Sequence, residues 1–365
     1  MKREKKEPRI LKDDKKKKTS KVKKTFKIIG IILLILLILL AGLAVAGYLY
    51  VNGKLDLMQA IHLDKSKLGI SEETEERLSG YRNIAIFGID SRKDEYGEGY
   101  RSDCMIIASF NYETKEIKLV SIYRDTLMQF DSDFGLSQNL DKATHAYACG
   151  EETMAINMLN TNLDLNISEF VTVNFQSVAD TIDALGGITI EIEQNEIGYM
   201  NEYIDATSIL VNKKSKHITK AGVQRLDGVQ AVAYSRVRYT AGGEHKRTER
   251  MRIVLEAMLN ELKTKSVGEL NTLADKLLPS IRISSTLKDD LFTFVPYLPD
   301  MTISNSIGFP YETLDEKING IYYGVPINLG ENVTKLHQDL FGDEEYVLPD
   351  SVKEISDTIT EVSGH

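Results

Sequence analysis

The sequence predicts an α/β protein in which helices cover both faces of a mixed central sheet, an α-β-α layered sandwich preceded by one transmembrane helix. Two observations lead to this prediction. Near the N-terminus an uncharged apolar run is long enough to cross a membrane. Beyond it, short runs rich in Ile and Val alternate with segments of helical periodicity, an alternation typical of α/β domains.

The apolar run has the composition of a membrane anchor. Residues 28–51 form a stretch of 24 residues without a charged side chain. A helix of that length extends about 36 Å, at about 1.5 Å per residue, which is enough to cross a hydrocarbon core of about 30 Å. A cleaved signal peptide is the alternative, but its apolar region is usually only about 7 to 15 residues long. We therefore expect an uncleaved anchor.

Charge is distributed unevenly along the chain. Residues 1–27 contain 14 Lys/Arg and 4 Asp/Glu, a net charge of +10, so the rest of the chain carries −19, since the total is −9. Basic residues before an apolar span predict a cytoplasmic N-terminus, with the acidic remainder outside. A basic tail can also bind nucleic acid, but its position beside the span favours contact with anionic membrane lipid, and we expect no nucleic-acid partner.

The remainder of the chain is predicted to form one folded domain. We expect a polar connector at 52–79, the domain at 80–350 and a flexible polar tail at 351–365. Cys104 and Cys149 would lie in a compartment where disulfides persist. Two unpaired thiols and one disulfide are both compatible with the sequence.

The first strands of the domain predict a site. Strands at 81–89, at 102–110 and ending at Tyr123 are separated by turn-forming residues, a pattern typical of an antiparallel meander. In a meander the end of the first strand, the start of the second and the end of the third lie at one edge of the sheet. Asp90, Asp103 and Arg124 occupy these positions and are expected to lie together.

The rest of the domain is predicted to be mixed. A polar segment is expected up to about residue 219. The predicted helices and strands are a helix at 151–163, a strand at 170–175, a helix at 176–185, a strand at 188–193, helices at 228–235, 248–264 and 267–298, and strands near 301–304 and 321–325.

The segment SRVRYTAGGEHKRTERMR, residues 235–252, concentrates positive charge in an otherwise acidic domain. A solvated helix face is one interpretation, and it remains open for Arg250 and Arg252. Arg236 and Arg238 can point the same way from an extended backbone, since alternate residues share a face. Guanidinium groups in that arrangement suit the oxygens of phosphate groups.

The two aspartates at the strand ends suggest a divalent cation. Mg²⁺ commonly takes one or two carboxylates and fills its remaining positions with water and substrate phosphate. Aspartates at strand ends are often only turn formers. The expected convergence of Asp90 and Asp103 with Arg92, Arg101 and Arg124 favours the metal interpretation.

Six motifs occur in order between about residues 81 and 262: GIDSR, RSD, SIYRDT, LDKATHAYACG, LDGVQAVAYSRVR and KRTERMR. Together they resemble the LytR-CpsA-Psr (LCP) family of cell-wall glycopolymer transferases. The resemblance implies the LCP fold and an enzyme of Gram-positive-type cell membranes with its catalytic domain outside the cell. Such an enzyme moves a glycopolymer from a polyprenyl-pyrophosphate carrier to a peptidoglycan hydroxyl and releases polyprenyl phosphate. Teichoic acid, capsular polysaccharide and another wall polysaccharide are all open as the glycopolymer.

The resemblance also implies roles for individual residues. Asp90 and Asp103 would bind Mg²⁺, or Mn²⁺, and with Arg124 would form the catalytic set. An apolar tunnel would hold the lipid tail. The residues expected around the pyrophosphate are Arg92, Arg101, Arg124, Lys142, Arg236, Arg238 and Arg247. The chain departs from the family where Met251 replaces a usual Gln and where ACGEE lacks a second Gly.

Other functions remain possible from the sequence. The same pocket could hydrolyse lipid pyrophosphates with water as the acceptor, and a non-enzymatic envelope regulator is suggested by the "transcriptional attenuator" label of some relatives. The base that would deprotonate the acceptor is not identified among Asp90, Asp103 and Asp125. For His145 we expect a structural role rather than proton transfer.

Overall fold

The computed structural model describes residues 53–91, 96–97, 99–135, 139–294 and 301–364, and the fold presented here is the compact unit that starts at Leu57. The predicted anchor at 28–51 and the basic tail before it lie outside the described residues. Within the described ranges, the helices are too short or too polar to span a bilayer.

Strands and helices alternate along this unit. The strands are β1 (Gln59–Ile61), β2 (Tyr81–Ile89), β3 (Ser102–Asn111), β4 (Glu116–Ile122), β5 (Leu127–Gln129), β6 (Leu140–Lys142), β7 (Glu169–Asn174), β8 (Ile188–Ile192), β9 (Gly222–Leu226), β10 (Arg282–Ser284), β11 (Thr302–Phe309), β12 (Thr313–Ile318) and β13 (Ile321–Pro326). The helices are α1 (Glu72–Arg77), α2 (Ala143–Leu163), α3 (Phe175–Ala184), α4 (Ile197–Leu210), α5 (Gly228–Arg236), α6 (Gly243–Lys263), α7 (Val267–Leu277), α8 (Ser285–Phe294), α9 (Leu329–Phe341) and α10 (Asp350–Ser363), with short 3-10 turns at Lys65–Lys67, Ser132–Phe134 and Leu278–Ser280.

The central sheet has the strand order β1-β10-β7-β2-β3-β4-β11. Its middle is the predicted antiparallel meander β2-β3-β4, while β7 runs parallel to β2 and β11 runs parallel to β4. The mixed α/β sheet is therefore confirmed. The carboxyl ends of β2, β4, β7 and β11 lie at one edge, together with the start of β3, and this edge carries the candidate site.

The two faces of the sheet are covered by different helices. Phe87 on β2 contacts Tyr147 of α2, with ring centroids 5.6 Å apart, and belongs to the main hydrophobic core. Successive strand residues point to opposite faces, so Gly88 and its cross-strand neighbour Cys104 lie on the other face. That second face is approached by α6, which contacts β3, β4 and β11.

A second hydrophobic cluster supports the helix that ends at Arg236, one of the predicted arginines. It is built from α3, α4, α5 and the β8-β9 hairpin, and includes Ile188, Ile204 and Val232. Helix α5 begins at a capping box in which the Asp227 side chain accepts from the Gln230 N–H and the Gln230 side chain accepts from the Asp227 N–H. This cluster fixes the position of α5, so Arg236, the last residue of α5, lies near the edge of the central sheet that carries the candidate site.

Four predictions about secondary structure were wrong. The segment predicted as a helix at 267–298 contains two helices, α7 and α8, separated by a 3-10 turn and by β10. The segment expected to be polar contains α4, which buries Met200, Ile204 and Thr207 at helical spacing. The expected flexible tail is α10, held by the buried residues Val352, Ile355 and Ile359. The connector at 52–79 contains β1 and α1. The surfaces that bury these segments come from distant parts of the chain, which the local sequence does not show.

Helix α2 starts earlier than predicted, at Ala143, and is kinked. Gly150 and Glu151 have non-helical backbone angles, with Glu151 at φ 51° and ψ −146°. The Glu151 side chain pairs with Arg282 on β10. Of the two arrangements open for the cysteines, the structure has the unbridged one, with no disulfide between Cys104 and Cys149, both of which it describes.

Candidate active site

Asp103, at the start of β3, is surrounded by guanidinium groups. The Arg124 Nη1 donates to Asp103 Oδ1 at 2.8 Å. Arg238 Nη2 and Arg247 Nη1 lie 3.7 and 3.9 Å from Asp103 Oδ2, and the Arg247 Nη2 also donates to the Asp103 carbonyl at 3.1 Å. Residues distant along the chain therefore meet at this edge, as the sequence predicted for Arg124 and for the arginines of the 235–252 segment.

Glu244, on the first turn of α6, is a second carboxylate beside the same three arginines. It pairs with Arg247, and its carboxylate oxygens lie 3.7 Å from the Arg124 Nε and 3.8 Å from the Arg238 Nε. We call Asp103, Arg124, Arg238, Arg247 and Glu244 the Asp103 cluster. The sequence interpretation did not include Glu244, although its spacing of three residues before Arg247 on a helix is a signal for an ion pair.

Lys142 extends this positive region. Its Nζ lies 2.7 Å from Asp125 Oδ1, and Asp125 Oδ2 accepts from the Arg124 Nε at 3.3 Å. Burial alone would raise the pKa of Asp125, but the Lys142 hydrogen bond and the Arg124 charge outweigh it, so the pKa is lowered. Asp125 is therefore ionised near neutral pH and is a weak base. Lys142 also lies 5.8 Å from the ring centre of Tyr323 on β13, a contact that the sequence analysis missed.

Arg236 reaches the site from α5 and is held by aromatic rings. Its guanidinium carbon lies 4.9 Å from the ring centre of Phe175 and 5.6 Å from that of Tyr203, and its Nη1 donates to Thr207 Oγ1 at 2.9 Å. Burial lowers the pKa of Arg236, while the charges of Asp90 and Asp103 oppose that shift. Arg236 therefore lies within electrostatic range of both predicted metal ligands.

The remaining predicted residues are placed less tightly. The Asp90 N–H donates to the Arg101 carbonyl at 3.3 Å across the bulged end of the β2-β3 pair, and both side chains are exposed. Arg92 lies outside the described residues. His145, on the first turn of α2, has its Nδ1 2.7 Å from Oδ2 of Asp141 on β6. The strand pairing thus brings Asp90 and Asp103 to the same end of the sheet.

The arginines of α6 have different surroundings. Arg250 is fully buried and pairs with Glu196 at 2.7 Å, while its Nη1 donates to the Val237 carbonyl at 3.0 Å and its Nη2 to Thr240 Oγ1 at 2.7 Å. Arg252 is 8% exposed. The solvated-face interpretation of these two arginines was wrong, because α6 packs this side against the protein rather than against water.

An apolar surface begins next to the Asp103 cluster. On the face of the sheet that α6 approaches, Ile84 and Ile86 of β2 and Val171 and Val173 of β7 are only half-buried. On the opposite face of the same strands the core residue Phe87 is fully buried. Strand β2 lies at the centre of the sheet, where side chains are normally covered by helices, so the incomplete burial of this apolar floor is unusual.

The apolar floor has polar residues at both ends. At the far end Arg82 forms two hydrogen bonds with Glu169, both 2.6 Å long, and lies 3.4 Å from Asp290 of α8. At the near end are Gly88, Cys104 and the Asp103 cluster. Since β2 spans about 25 Å, an extended apolar chain fits along this floor with an anionic head at the arginines.

Gly308 on β11 shows how closely this end is packed. A Cβ atom at Gly308 would lie 2.1 Å from the Tyr123 hydroxyl, so only glycine fits beneath that side chain. The Tyr123 ring stacks on His245 of α6, with ring centroids 4.2 Å apart. Tyr123 therefore holds the first turn of α6, which carries Glu244 and Arg247, against the sheet.

Two known proteins with a similar sequence are transferases by name. TagT of Bacillus subtilis, a polyisoprenyl-teichoic acid–peptidoglycan teichoic acid transferase, is 26% identical over 246 residues, which cover 66% of this chain and 70% of the relative. TagU of Enterococcus faecalis, a transferase with the same descriptive name, is 30% identical over 210 residues, or 57% of this chain and 61% of the relative.

Solved structures share the fold. "TagT bound to LIIa-WTA" superposes with a TM-score of 0.59 at 21% identity, covering 78% of this chain and all of that chain. TagT with bound octaprenyl pyrophosphate lipid superposes with a TM-score of 0.53 at 19% identity, covering 84% of this chain and all of that chain. The model of the LytR_cpsA_psr family matches residues 48–338. This chain therefore belongs to the LytR_cpsA_psr family.

Proposed function

We propose that this protein transfers a glycopolymer from a polyprenyl-pyrophosphate carrier to a hydroxyl of peptidoglycan and releases polyprenyl phosphate. The single observation that carries the proposal is the position of the Asp103 cluster, with its three arginines, at the head of a half-buried apolar floor. A lipid pyrophosphate needs cations for its head and an apolar surface for its tail. The names of the relatives support the same class of reaction and make teichoic acid the first donor to test.

The reaction is a phosphoryl-type transfer. The acceptor oxygen attacks the phosphorus on the sugar side, and the bond between that phosphorus and the bridging oxygen breaks. The hydroxyl proton leaves, and the lipid-side phosphate departs with its isoprenoid chain. Such reactions depend mainly on positioning and on neutralising charge at the transferred group, which Arg124, Arg238 and Arg247 supply here.

The arginines are suited to this role because they are fixed before substrate binds. The Arg124 pKa is lowered by burial but raised more strongly by Asp103, Asp125 and Glu244, so the side chain keeps its charge. Asp103 and Glu244 hold the guanidinium groups in place without neutralising all of them. Donors aimed in advance at developing charge need no reorganisation during the reaction.

We further propose that Asp90 and Asp103 hold Mg²⁺, or Mn²⁺. In the described part of the chain no three His, Cys, Asp or Glu side chains are grouped to hold a metal. Two carboxylates at one strand edge nevertheless fit Mg²⁺, which commonly leaves its other positions to water and phosphate oxygens. When bound, the ion would neutralise charge on the pyrophosphate. EDTA should abolish transfer, and added Mg²⁺ or Mn²⁺ should restore it.

Membrane anchoring is proposed from the sequence alone. An anchor at 28–51 with the basic tail in the cytoplasm would place the catalytic domain outside, at the membrane surface where its lipid-linked donor lies. Protease added to intact cells should digest the domain and spare the basic tail. Protection of the domain would contradict this topology.

The proposed activity is tested by reconstituting the full-length protein with a teichoic acid donor on polyprenyl pyrophosphate and with peptidoglycan fragments. We expect glycopolymer covalently attached to peptidoglycan and an equal amount of polyprenyl phosphate. Polyprenyl phosphate formed at the same rate without peptidoglycan would instead establish a hydrolase. No product from a panel of teichoic acid, capsular and wall-polysaccharide donors would overturn the proposal.

A further inference from the structure

Two tyrosines beside the candidate site expose their rings to solvent. Tyr239 directly follows Arg238 of the Asp103 cluster and is 69% exposed, and Tyr199 on α4 is 37% exposed. Their ring centroids lie 6.1 Å apart. Single exposed apolar residues are normal on a protein surface, but two exposed aromatic rings in contact indicate a surface that binds a ligand. We call Tyr199 and Tyr239 the tyrosine pair.

The tyrosine pair lies close to the arginines of the site. Along α4, Tyr199, Tyr203 and Thr207 are spaced by four residues and therefore share one face of the helix. Thr207 Oγ1 accepts from the Arg236 Nη1 at 2.9 Å, and the Tyr203 ring centre lies 5.6 Å from the Arg236 guanidinium carbon. Tyr199 is one turn further along this face, about 5 Å along the helix axis. A short saccharide therefore spans the distance from the tyrosine pair to the site.

A buried ion pair holds the two segments that carry these tyrosines. Arg250 pairs with Glu196, the residue before α4, and both are buried. The same guanidinium donates to the Val237 carbonyl at 3.0 Å and to Thr240 Oγ1 at 2.7 Å, on either side of Tyr239. The positions of the two tyrosines are therefore set before a ligand binds, which reduces the entropy lost on binding.

The chemistry of the tyrosine pair fits an uncharged sugar. The face of an aromatic ring is negative, so the polarised C–H groups of a pyranose ring stack on it favourably. Tyrosine also offers a hydroxyl for hydrogen bonds and loses little conformational freedom on binding. The charged residues of α4 are Glu202 and Asp205, both acidic. This helix therefore favours a neutral saccharide over a polyphosphate chain, which like charges repel.

Of the two proposed substrates, the acceptor still lacks a binding surface. The donor has a pyrophosphate for the arginines of the Asp103 cluster and an isoprenoid tail for the apolar floor. The acceptor presents an uncharged hydroxyl, which these two surfaces do not hold. Its affinity must come from other parts of the molecule, and sugar rings are the part nearest to the reacting oxygen.

We propose that the tyrosine pair binds the sugar backbone of the peptidoglycan acceptor by stacking against a pyranose ring. The proposal rests on the function proposed above and deepens it, because it gives the acceptor a binding surface separate from that of the donor. A glycan held there would have its neighbouring sugar at the Asp103 cluster, where one hydroxyl can attack the phosphorus.

The test uses full-length protein in detergent, a polyprenyl-pyrophosphate donor and peptidoglycan fragments. It compares a double variant, Tyr199→Ala with Tyr239→Ala, with the double variant that has Phe at both positions. Tyr112→Ala is the matched control, since Tyr112 is 39% exposed and follows β3 at the edge of the sheet opposite the site. We measure the KM for each substrate, the binding of glycan fragments without stem peptides, and the melting temperature.

We expect the double Ala variant to raise the KM for peptidoglycan fragments at least about tenfold, because two aromatic contacts are lost. Its KM for the donor should stay at the wild-type value, and its binding of peptide-free glycan should weaken by a similar factor. The double Phe variant should keep most of the affinity because it keeps both rings. Tyr112→Ala should match the wild type, and Tyr239→Ala alone should show the same change to a smaller extent.

The outcomes separate this inference from the proposed function. An unchanged KM for the fragments in the folded double Ala variant, with a wild type that transfers, would overturn this inference alone. A raised KM for the donor with an unchanged KM for the fragments would show that the pair binds donor sugars, and would also overturn it. A wild type without transfer would overturn the proposed function, whereas binding of peptide-free glycan that depends on both tyrosines would still support the tyrosine surface.

Discussion

Two charged clusters at opposite ends of α2 have different charge balances. At the site, the Asp103 cluster places three arginines around two carboxylates and leaves Asp103 18% exposed at its side chain. At the other end, Asp164 accepts hydrogen bonds from Thr74, Arg77 and Tyr346 and is 8% exposed. We call Thr74, Arg77, Asp164 and Tyr346 the Asp164 cluster.

The comparison shows how a cluster that stabilises the fold differs from the cluster proposed to bind substrate. In the Asp164 cluster one carboxylate is matched by its donors, and Arg77 also lies 4.7 Å from the ring centre of Tyr346, so the cluster ties α1, α2 and the segment before α10 together. The Asp103 cluster has more positive than negative groups. Excess charge costs stability, and it is useful when an anionic substrate supplies what is missing.

The largest effect should come from Arg124→Ala. Removing one charge-stabilising donor typically costs about 10² to 10³ in rate, and Arg124 also organises Asp103 and Asp125. We expect transfer to fall by about 10³ with little change in melting temperature, measured as polyprenyl phosphate release. Arg77→Ala is the matched control at the Asp164 cluster. Near-normal turnover by folded Arg124→Ala would contradict the proposed role of the Asp103 cluster in transfer.

Next to the Asp164 cluster, His337 should make the stability of the fold depend on pH. Its ring stacks on Tyr346 with centroids 3.9 Å apart, and burial lowers its pKa to about 4. An unfolded histidine has a pKa of about 6.5, so as the pH falls below that value the unfolded state binds the proton first. Stability is therefore complete above about pH 6.5 and declines towards pH 4, by about 3 kcal/mol from this residue.

Replacing the ring by one that does not titrate isolates this contribution. His337→Phe keeps an aromatic ring beside Tyr346 and loses the hydrogen bond to the Leu163 carbonyl. Urea unfolding between pH 7 and pH 4 should show a shallower decline in stability for the variant than for the wild type. An equal decline in stability with pH in both proteins would contradict the assignment of this decline to His337.

Asp164→Asn should destabilise the fold without impairing catalysis. Asparagine tolerates the left-handed conformation of this residue, φ 52°, so the change mainly removes the charge opposite Arg77. We expect the free energy of unfolding to fall by about 2 kcal/mol. Turnover per folded molecule should be unchanged. A loss of turnover at full stability would show that the Asp164 cluster also acts in catalysis.

The smallest effect is expected for Arg101→Ala. Arg101 is exposed, and exposed ion pairs contribute about 0 to 1 kcal/mol, so donor affinity should fall by no more than about fivefold. Raising the ionic strength should reduce the difference from the wild type further. Donor binding at low and high salt tests this. A loss as large as that of Arg124→Ala would place Arg101 inside the Asp103 cluster in the bound state.

Much of the candidate site was predictable because it depends on local pattern and on one pairing rule. The strand at 81–89 was predicted with the observed bounds, and antiparallel pairing then placed Asp103 and Arg124 at one edge. The helices α4 and α10 were not predicted. Helix α10 has few apolar residues. The surfaces that bury both helices come from distant segments, which a window of local sequence does not contain.

The arginines of α6 show what residue types alone can predict and what depends on the tertiary structure. Composition alone showed that the 235–252 segment concentrates charge suited to phosphate, since that property needs only the residue types. Only the tertiary structure decided that Arg247 faces Asp103, that Arg250 faces Glu196, 54 residues away, and that Arg252 faces neither. The physical reason is that a buried guanidinium is defined by the partner it meets, and that partner is supplied by the fold rather than by its neighbours in the chain.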